Sequence, residues 1–214
     1  MKVETIHVGL MWTDCYVGWD EETHEAFIVD PGDTAGRILA FIEKNGLHVT
    51  HILLTHSHFD HIMALADVQK ATGAKVCIHE LEASCVETPD HAETKSLRMP
   101  NLYIKPSKVD ITLKDGDKLT LCGEEFTVLH TPGHTRGSVC YDNGTVLFSG
   151  DTLFEDDCGR TDLPGGSAED MAASLRRLYA LEGDRTVYPG HDVSTTLSRE
   201  RTANNDMRRA VSQI

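Results

Sequence analysis

No stretch of the 214-residue chain approaches the 18 or so continuous apolar residues that a membrane helix needs. Its start, MKVETIHVGL, has no apolar core flanked by a small-residue cleavage site, so no export signal is read there. Basic residues are scarce: 20 Lys and Arg against 34 Asp and Glu give a net charge of −14. A nucleic-acid surface or an anionic membrane partner needs clustered positive charge, so both are excluded as expectations. The six cysteines include no C-x-x-C pair. Together with the missing export signal, this predicts reduced thiols in a cytoplasm, most of them small core residues. There is no G-x-S-x-G, so no serine nucleophile of that kind is available.

Histidine, by contrast, is abundant at 12 residues. The length suits a single α/β domain over residues 1–214, with room for two internal halves. TIHVGL, CYVGW and HEAFIVD read as strands, and TAGRILAFIEKNG as a helix that stops at glycine. VTHILLT is a buried strand, DHIMALADVQKATG one helix and AKVCIH a strand. Val86 to Pro106 has three prolines and no clean period, and reads as a long irregular lid in which Met99, Leu102 and Tyr103 are candidate pocket-lining residues. Short strands follow: VDITL, DKLTL, EEFTVLH, SVCYD and TVLFSG. SAEDMAASLRRLYAL is a helix with a Ser167–Asp170 capping box, TVYPG a strand, and Thr195–Arg209 a final helix. Strands, helix, strand, helix, twice over, suggest two similar halves packed sheet to sheet.

The stretch LLTHSHFDHIMAL crowds three histidines and an aspartate into six residues between two apolar runs. His56 and His58 lie two apart at a strand end, so on extended backbone they point to one side and can share a cation. Asp60 and His61 follow where the chain turns into its helix and can reach a second ion. Downstream, HTPGHT, LFSGDTLF and VYPGHD each place glycine and then a ligand-type residue after a strand, namely His134, Asp151 and His191. Glycine lets the backbone bend sharply there. Seven donors suit two metal ions sharing one carboxylate.

The pattern His56-x-His58-x-Asp60-His61, then His134, Asp151 and His191, resembles that of the metallo-β-lactamase-fold hydrolases, over nearly the whole chain. The resemblance implies a four-layer αβ/βα sandwich. It also implies one metal held by His56, His58 and His134, a second held by Asp60, His61 and His191, and Asp151 as the bridge. Asp30 in VDPGD matches a family position that orients the histidine loop. GDTLFEDDCGRTDLPGGS is similar to the glyoxalase II-like branch, whose members hydrolyse thioesters, and a bridging Asp151 points away from class B β-lactamases. Only 23 residues follow His191, where glyoxalase II has a helical glutathione-binding domain, so the chain resembles the short single-domain members. Two divalent metal ions are expected, most readily zinc, with iron or manganese as alternatives. Between them they would hold a water as hydroxide, with Asp60 and Asp151 fixing it for attack on a small thioester or ester. Arg160 is a candidate for an anionic substrate group, and Cys158 reads as a bystander. CGRTD also occurs in iron-dependent persulfide dioxygenases of this fold, which stand as the alternative beside a lactonase-type hydrolase.

Overall fold

The computed structural model describes residues 1–89 and 103–212. Its chain divides into two compact units, Met1–Leu113 with Thr120–Glu124, and Lys114–Leu119 with the chain from Glu125 onward.

The first unit holds a six-stranded mixed sheet in sequence order, β1 (Lys2–Val8), β2 (Thr13–Trp19), β3 (Glu25–Val29), β4 (His48–Leu53), β5 (Lys75–His79) and β6 (Ile111–Leu113). Strands β1 to β3 pair antiparallel, and β3 to β6 parallel. Parallel strands need crossovers, and helices supply them: α1 (Ala35–Lys44) links β3 to β4, and α3 (Leu65–Thr72) leads into β5. Helix α1 buries Ile38 and Ile42, one turn apart, in a core with Ile28, Ile52 and Val68. Ile38 has no exposed surface. Truncating it to alanine should cost about 2–5 kcal/mol.

The second unit has a six-stranded sheet of spatial order β12-β11-β10-β9-β8-β7, from β7 (Lys118–Leu121), β8 (Glu124–His130), β9 (Val139–Asp142), β10 (Val146–Gly150), β11 (Thr186–Pro189) and β12 (Thr195–Thr196). In this sheet, β10 and β11 are the parallel pair among the described pairings, and α5 (Ala168–Tyr179) is their crossover. It packs Met171, Leu175 and Leu178 against Leu147, Val187 and Met207. Each unit therefore ends parallel strands at one sheet edge, where the loops after β4, β10 and β11 carry histidine and aspartate.

Three local expectations are corrected. The single helix expected over DHIMALADVQKATG is two, α2 (Phe59–Ile62) and α3. The break comes where the Ala64 amide donates to the Pro31 carbonyl (3.1 Å), which lets the α2 turn take its own direction. Thr195 and Thr196 form β12, and the last helix is split into α6 (Leu197–Ala203) and α7 (Asn205–Ser212). Asn204 makes that split: its side-chain oxygen accepts from the Asp206 and Met207 amides, both at 3.0 Å, and caps α7. The capping box at Ser167 is half formed. Its hydroxyl accepts from the Asp170 amide, but its own amide donates to Gly133 O (2.8 Å) rather than to Asp170.

The irregular stretch expected over Val86–Pro106 begins inside a short helix, α4 (Ala83–Glu87). Met99 and Leu102 lie outside the described residues, while Tyr103 is exposed.

Candidate metal centre

The first unit presents His56, His58, Asp60 and His61 on the loop and short helix after β4. His56 and His61 are fully buried with ring centroids 4.2 Å apart, and His58 packs edge-on to His56 at 4.7 Å. The Asp60 carboxylate lies 3.7 Å from His61 Nε2. Burying this many titratable groups side by side is costly unless something charged balances them.

Asp30 organises the cluster from the end of β3. Its carboxylate is almost wholly buried, and accepts from the Thr55 amide (2.8 Å), the Thr55 hydroxyl (2.6 Å) and His61 Nδ1 (3.0 Å). The last bond keeps the proton on Nδ1 and turns the Nε2 lone pair outward as a ligand atom. His56 Nδ1 is likewise engaged, by the Thr55 hydroxyl at 3.0 Å. Donor atoms of Asp30, His56 and His61 all lie within 4.8 Å of one another.

Asp60 is fixed by two residues that sequence reasoning missed. The Thr13 hydroxyl donates to its Oδ2 at 3.1 Å. Gly32 lies so close that a Cβ there would stand 1.9 Å from the Asp60 carbonyl oxygen. A glycine inside PGD was the visible signal, readable only as a turn. Behind the histidines, the buried Glu82 carboxylate accepts the hydroxyl of Ser57, the residue between His56 and His58.

The second unit repeats these devices around His134, Asp151 and His191. His134 Nε2 is 3.4 Å from Asp151 Oδ2, and His191 Nε2 is 3.6 Å from the same oxygen. One carboxylate oxygen thus faces two imidazoles. His134 Nδ1 donates to the Arg160 carbonyl (2.8 Å), which again presents Nε2. Gly159 stands to Asp151 as Gly32 does to Asp60, since a Cβ there would meet the Asp151 carbonyl oxygen at 1.8 Å. The GR of CGRTD therefore shapes the site through backbone atoms.

The Arg160 side chain points elsewhere in its bonding. Its guanidinium is bidentate to Asp162, with both contacts at 2.7 Å, and that partner holds the Asp162 carboxyl down to about 2. Burial, then the charges of Asp206 and Asp157, push the Cys158 thiol up to about 12. Ligand-type atoms of Asp157, Cys158 and Asp206 lie within 4.8 Å of one another.

The donor chemistry of both sets, imidazoles beside carboxylates, fits divalent transition-metal ions. Residues 13–191 match the family model of the metallo-beta-lactamase superfamily. An uncharacterized protein of Mycobacterium tuberculosis (strain CDC 1551 / Oshkosh) is 36% identical, covering 95% of this chain and 96% of its own length. The hydroxyacylglutathione hydrolase GloC of Haemophilus influenzae is 32% identical over 95% of this chain and 97% of its own. Among solved structures, the BLEG-1 B3 metallo-beta-lactamase superposes with a TM-score of 0.89 at 35% identity, covering 96% of this chain and 99% of that one. TTHA1623, solved in a di-iron-bound form, gives 0.81 at 35% identity over 94% and 98%. ETHE1 from Myxococcus xanthus gives 0.78 at 30% identity over 96% and 84%. The chain belongs to the metallo-β-lactamase superfamily and has its α/β fold, a fold that binds two-metal sites.

Proposed function

We propose that the seven side chains act together as one two-metal centre, and that the protein hydrolyses a small thioester. His56, His58 and His134 would hold one ion, Asp60, His61 and His191 the other, and Asp151 both. The observation that supports this reading is the pinning of two imidazoles through Nδ1, by Asp30 on His61 and by the Arg160 carbonyl on His134, which makes Nε2 the electron-pair donor. When bound, such ions lower the pKa of a coordinated water toward neutrality and polarise a carbonyl.

The chain's own residues do the rest. The Asp60 and Asp151 carboxylates accept hydrogen bonds from the attacking water, orient it, and take up its proton at an Oδ atom. Water oxygen bonds to the acyl carbon and the C–S bond breaks. The sulfur leaves with the electron pair and takes a proton to give a free thiol beside the carboxylic acid. No redox partner is required. Similarity to a hydroxyacylglutathione hydrolase over nearly the full length supports the thioester class, and the imidazole–carboxylate donors suit zinc first, with iron or manganese as alternatives.

A persulfide dioxygenase is the second reading, favoured by the resemblance that CGRTD carries. Thiol release from S-lactoylglutathione in oxygen-free buffer, run beside oxygen uptake with glutathione persulfide, separates the two. Thiol release without oxygen supports the hydrolase. Stoichiometric oxygen use with persulfide and no thioester cleavage overturns it.

A further inference from the structure

Glu200, on α6, is a fully buried carboxylate that the chemistry above does not use. Four donors converge on it: the Asp156 amide (2.8 Å), the Thr195 hydroxyl (2.6 Å), the Arg199 guanidinium (2.7 Å) and the Asn204 side-chain amide (3.1 Å). Burying such a group is costly unless it is satisfied, and a fully satisfied one fixes its partners. Two of these partners lead to the turn at residues 154–157. Glu200 holds the Asp156 amide, and Asn204, also fully buried, donates to the Asp157 carbonyl at 2.9 Å. Arg199 closes the clamp, bidentate to the Asp156 carboxylate at 2.9 and 2.7 Å. Asp156 itself sits at φ 59°, in the left-handed region that is costly for a residue with a Cβ.

That turn is the tip of a small hairpin whose base is the antiparallel bridge between Leu153 and Cys158. Both arms run into candidate ligands. One arm starts at Asp151. The other continues into Gly159, which closely approaches the Asp151 carbonyl oxygen, and into the Arg160 carbonyl that accepts from His134 Nδ1. From the turn itself, the Phe154 ring stands edge-on to the His191 ring, with centroids 6.3 Å apart. Fixing the tip therefore bears on His134, Asp151 and His191 together.

We propose that Glu200 and Asn204 are positioning residues of the candidate metal centre: they clamp the 154–157 turn, and through it hold Phe154 against His191 and the Gly159–Arg160 backbone against Asp151 and His134. They touch no reacting atom. The inference rests on the reading of His134, Asp151 and His191 as metal ligands. A carboxylate that only tethered α6 would set stability and leave metal affinity alone. A clamp sets metal affinity as well, because partners that orient ligands are worth about 10–100-fold in affinity.

The test is competitive titration of zinc against a chelating dye, beside the visible spectrum of the cobalt-substituted protein, for Glu200→Gln, Phe154→Ala and Phe154→Tyr. Glutamine keeps the shape of Glu200 but offers one accepting oxygen where four donors converge. Glu200→Gln and Phe154→Ala should each weaken the more loosely held zinc ion about tenfold or more and alter the cobalt bands. Phe154→Tyr keeps the ring and should bind as the wild type does. Ile38→Ala, a core truncation on α1, is the control for lost stability alone: it should melt earlier with unchanged zinc affinity. Wild-type affinity and spectrum in folded Glu200→Gln or Phe154→Ala would overturn the clamp, and so would an equal affinity loss in Ile38→Ala. Should Glu200→Gln not fold, Asn204→Asp replaces it, since aspartate can still cap α7 but cannot donate to Asp157. If the wild type binds no metal, the metal reading falls and the clamp is judged by NMR of the protein as purified. The His191 ring protons, shifted by the Phe154 ring, should then move in Glu200→Gln toward their positions in Phe154→Ala. Unmoved signals overturn it.

Discussion

Asp30→Asn separates what holds the protein together from what arms its site. The carboxylate accepts three buried hydrogen bonds, from the Thr55 amide, the Thr55 hydroxyl and His61 Nδ1. Asparagine keeps the shape and one accepting oxygen, so the Thr55 amide stays satisfied. Its NH₂ can only donate, and it cannot accept the His61 Nδ1 proton. The proton therefore shifts toward Nε2, the ligand nitrogen. Loss of an orienting partner of this kind weakens metal affinity about 10–100-fold, which corresponds to about 1.4–2.7 kcal/mol. Asp30→Ala removes all three acceptors. At about 1–3 kcal/mol for each buried donor left unpaired, it should destabilise the metal-free fold by about 3 kcal/mol or more. The assays are competitive metal titration against a chelating dye and urea unfolding of the chelator-treated protein. The expected order is a large affinity loss with small stability loss for asparagine, and a large stability loss for alanine. Wild-type metal affinity in a folded Asp30→Asn protein would refute the tautomer argument.

Further outcomes follow from the same geometry. Gly159→Ala and Gly32→Ala should each lower activity at least tenfold by displacing the backbone of Asp151 and Asp60, since the added Cβ would overlap their carbonyl oxygens; full activity with unchanged melting in either would contradict the close approach. Burial pushes the Cys77 thiol up to about 12 from an ordinary value of 9.0. Above pH 9 the unfolded chain loses that proton and the folded one keeps it, so stability present below pH 9 is lost as pH rises toward 12, by about 1.4 kcal/mol per unit for a fully shifted thiol. Cys77→Ala should therefore flatten the alkaline limb of urea stability against pH, and an unchanged slope would refute the assignment. Iodoacetamide at neutral pH should label Cys85, the exposed cysteine among the six, ahead of buried Cys15, Cys77 and Cys140; peptide mapping that finds Cys140 first would contradict the burial.

Most strands and the first helices were legible in sequence because alternation, glycine stops and apolar runs are local signals. His56, His58, Asp60 and His61 were visible for the same reason, being packed into six residues. His134, Asp151 and His191 are scattered, and only the repeated strand–glycine–ligand pattern pointed to them. The residues that aim these ligands were harder to see. Thr13 meets Asp60 across 47 positions and Thr55 meets Asp30 across 25, distances over which no periodicity speaks. Breaks in helices were missed where a long-range partner overrode propensity, as with the Ala64 amide on Pro31. The Arg160 side chain looked available in sequence because Asp162, two residues on, carries no mark that it will claim the guanidinium.

The most direct test of the central proposal is the metal content of purified wild-type and Asp151→Asn proteins, measured by plasma mass spectrometry beside circular dichroism. Two transition-metal ions per chain in the wild type, falling below one in a folded Asp151→Asn protein, is the result the proposal predicts. Wild-type protein that is folded, catalytically active and metal-free after metal-replete expression would contradict it.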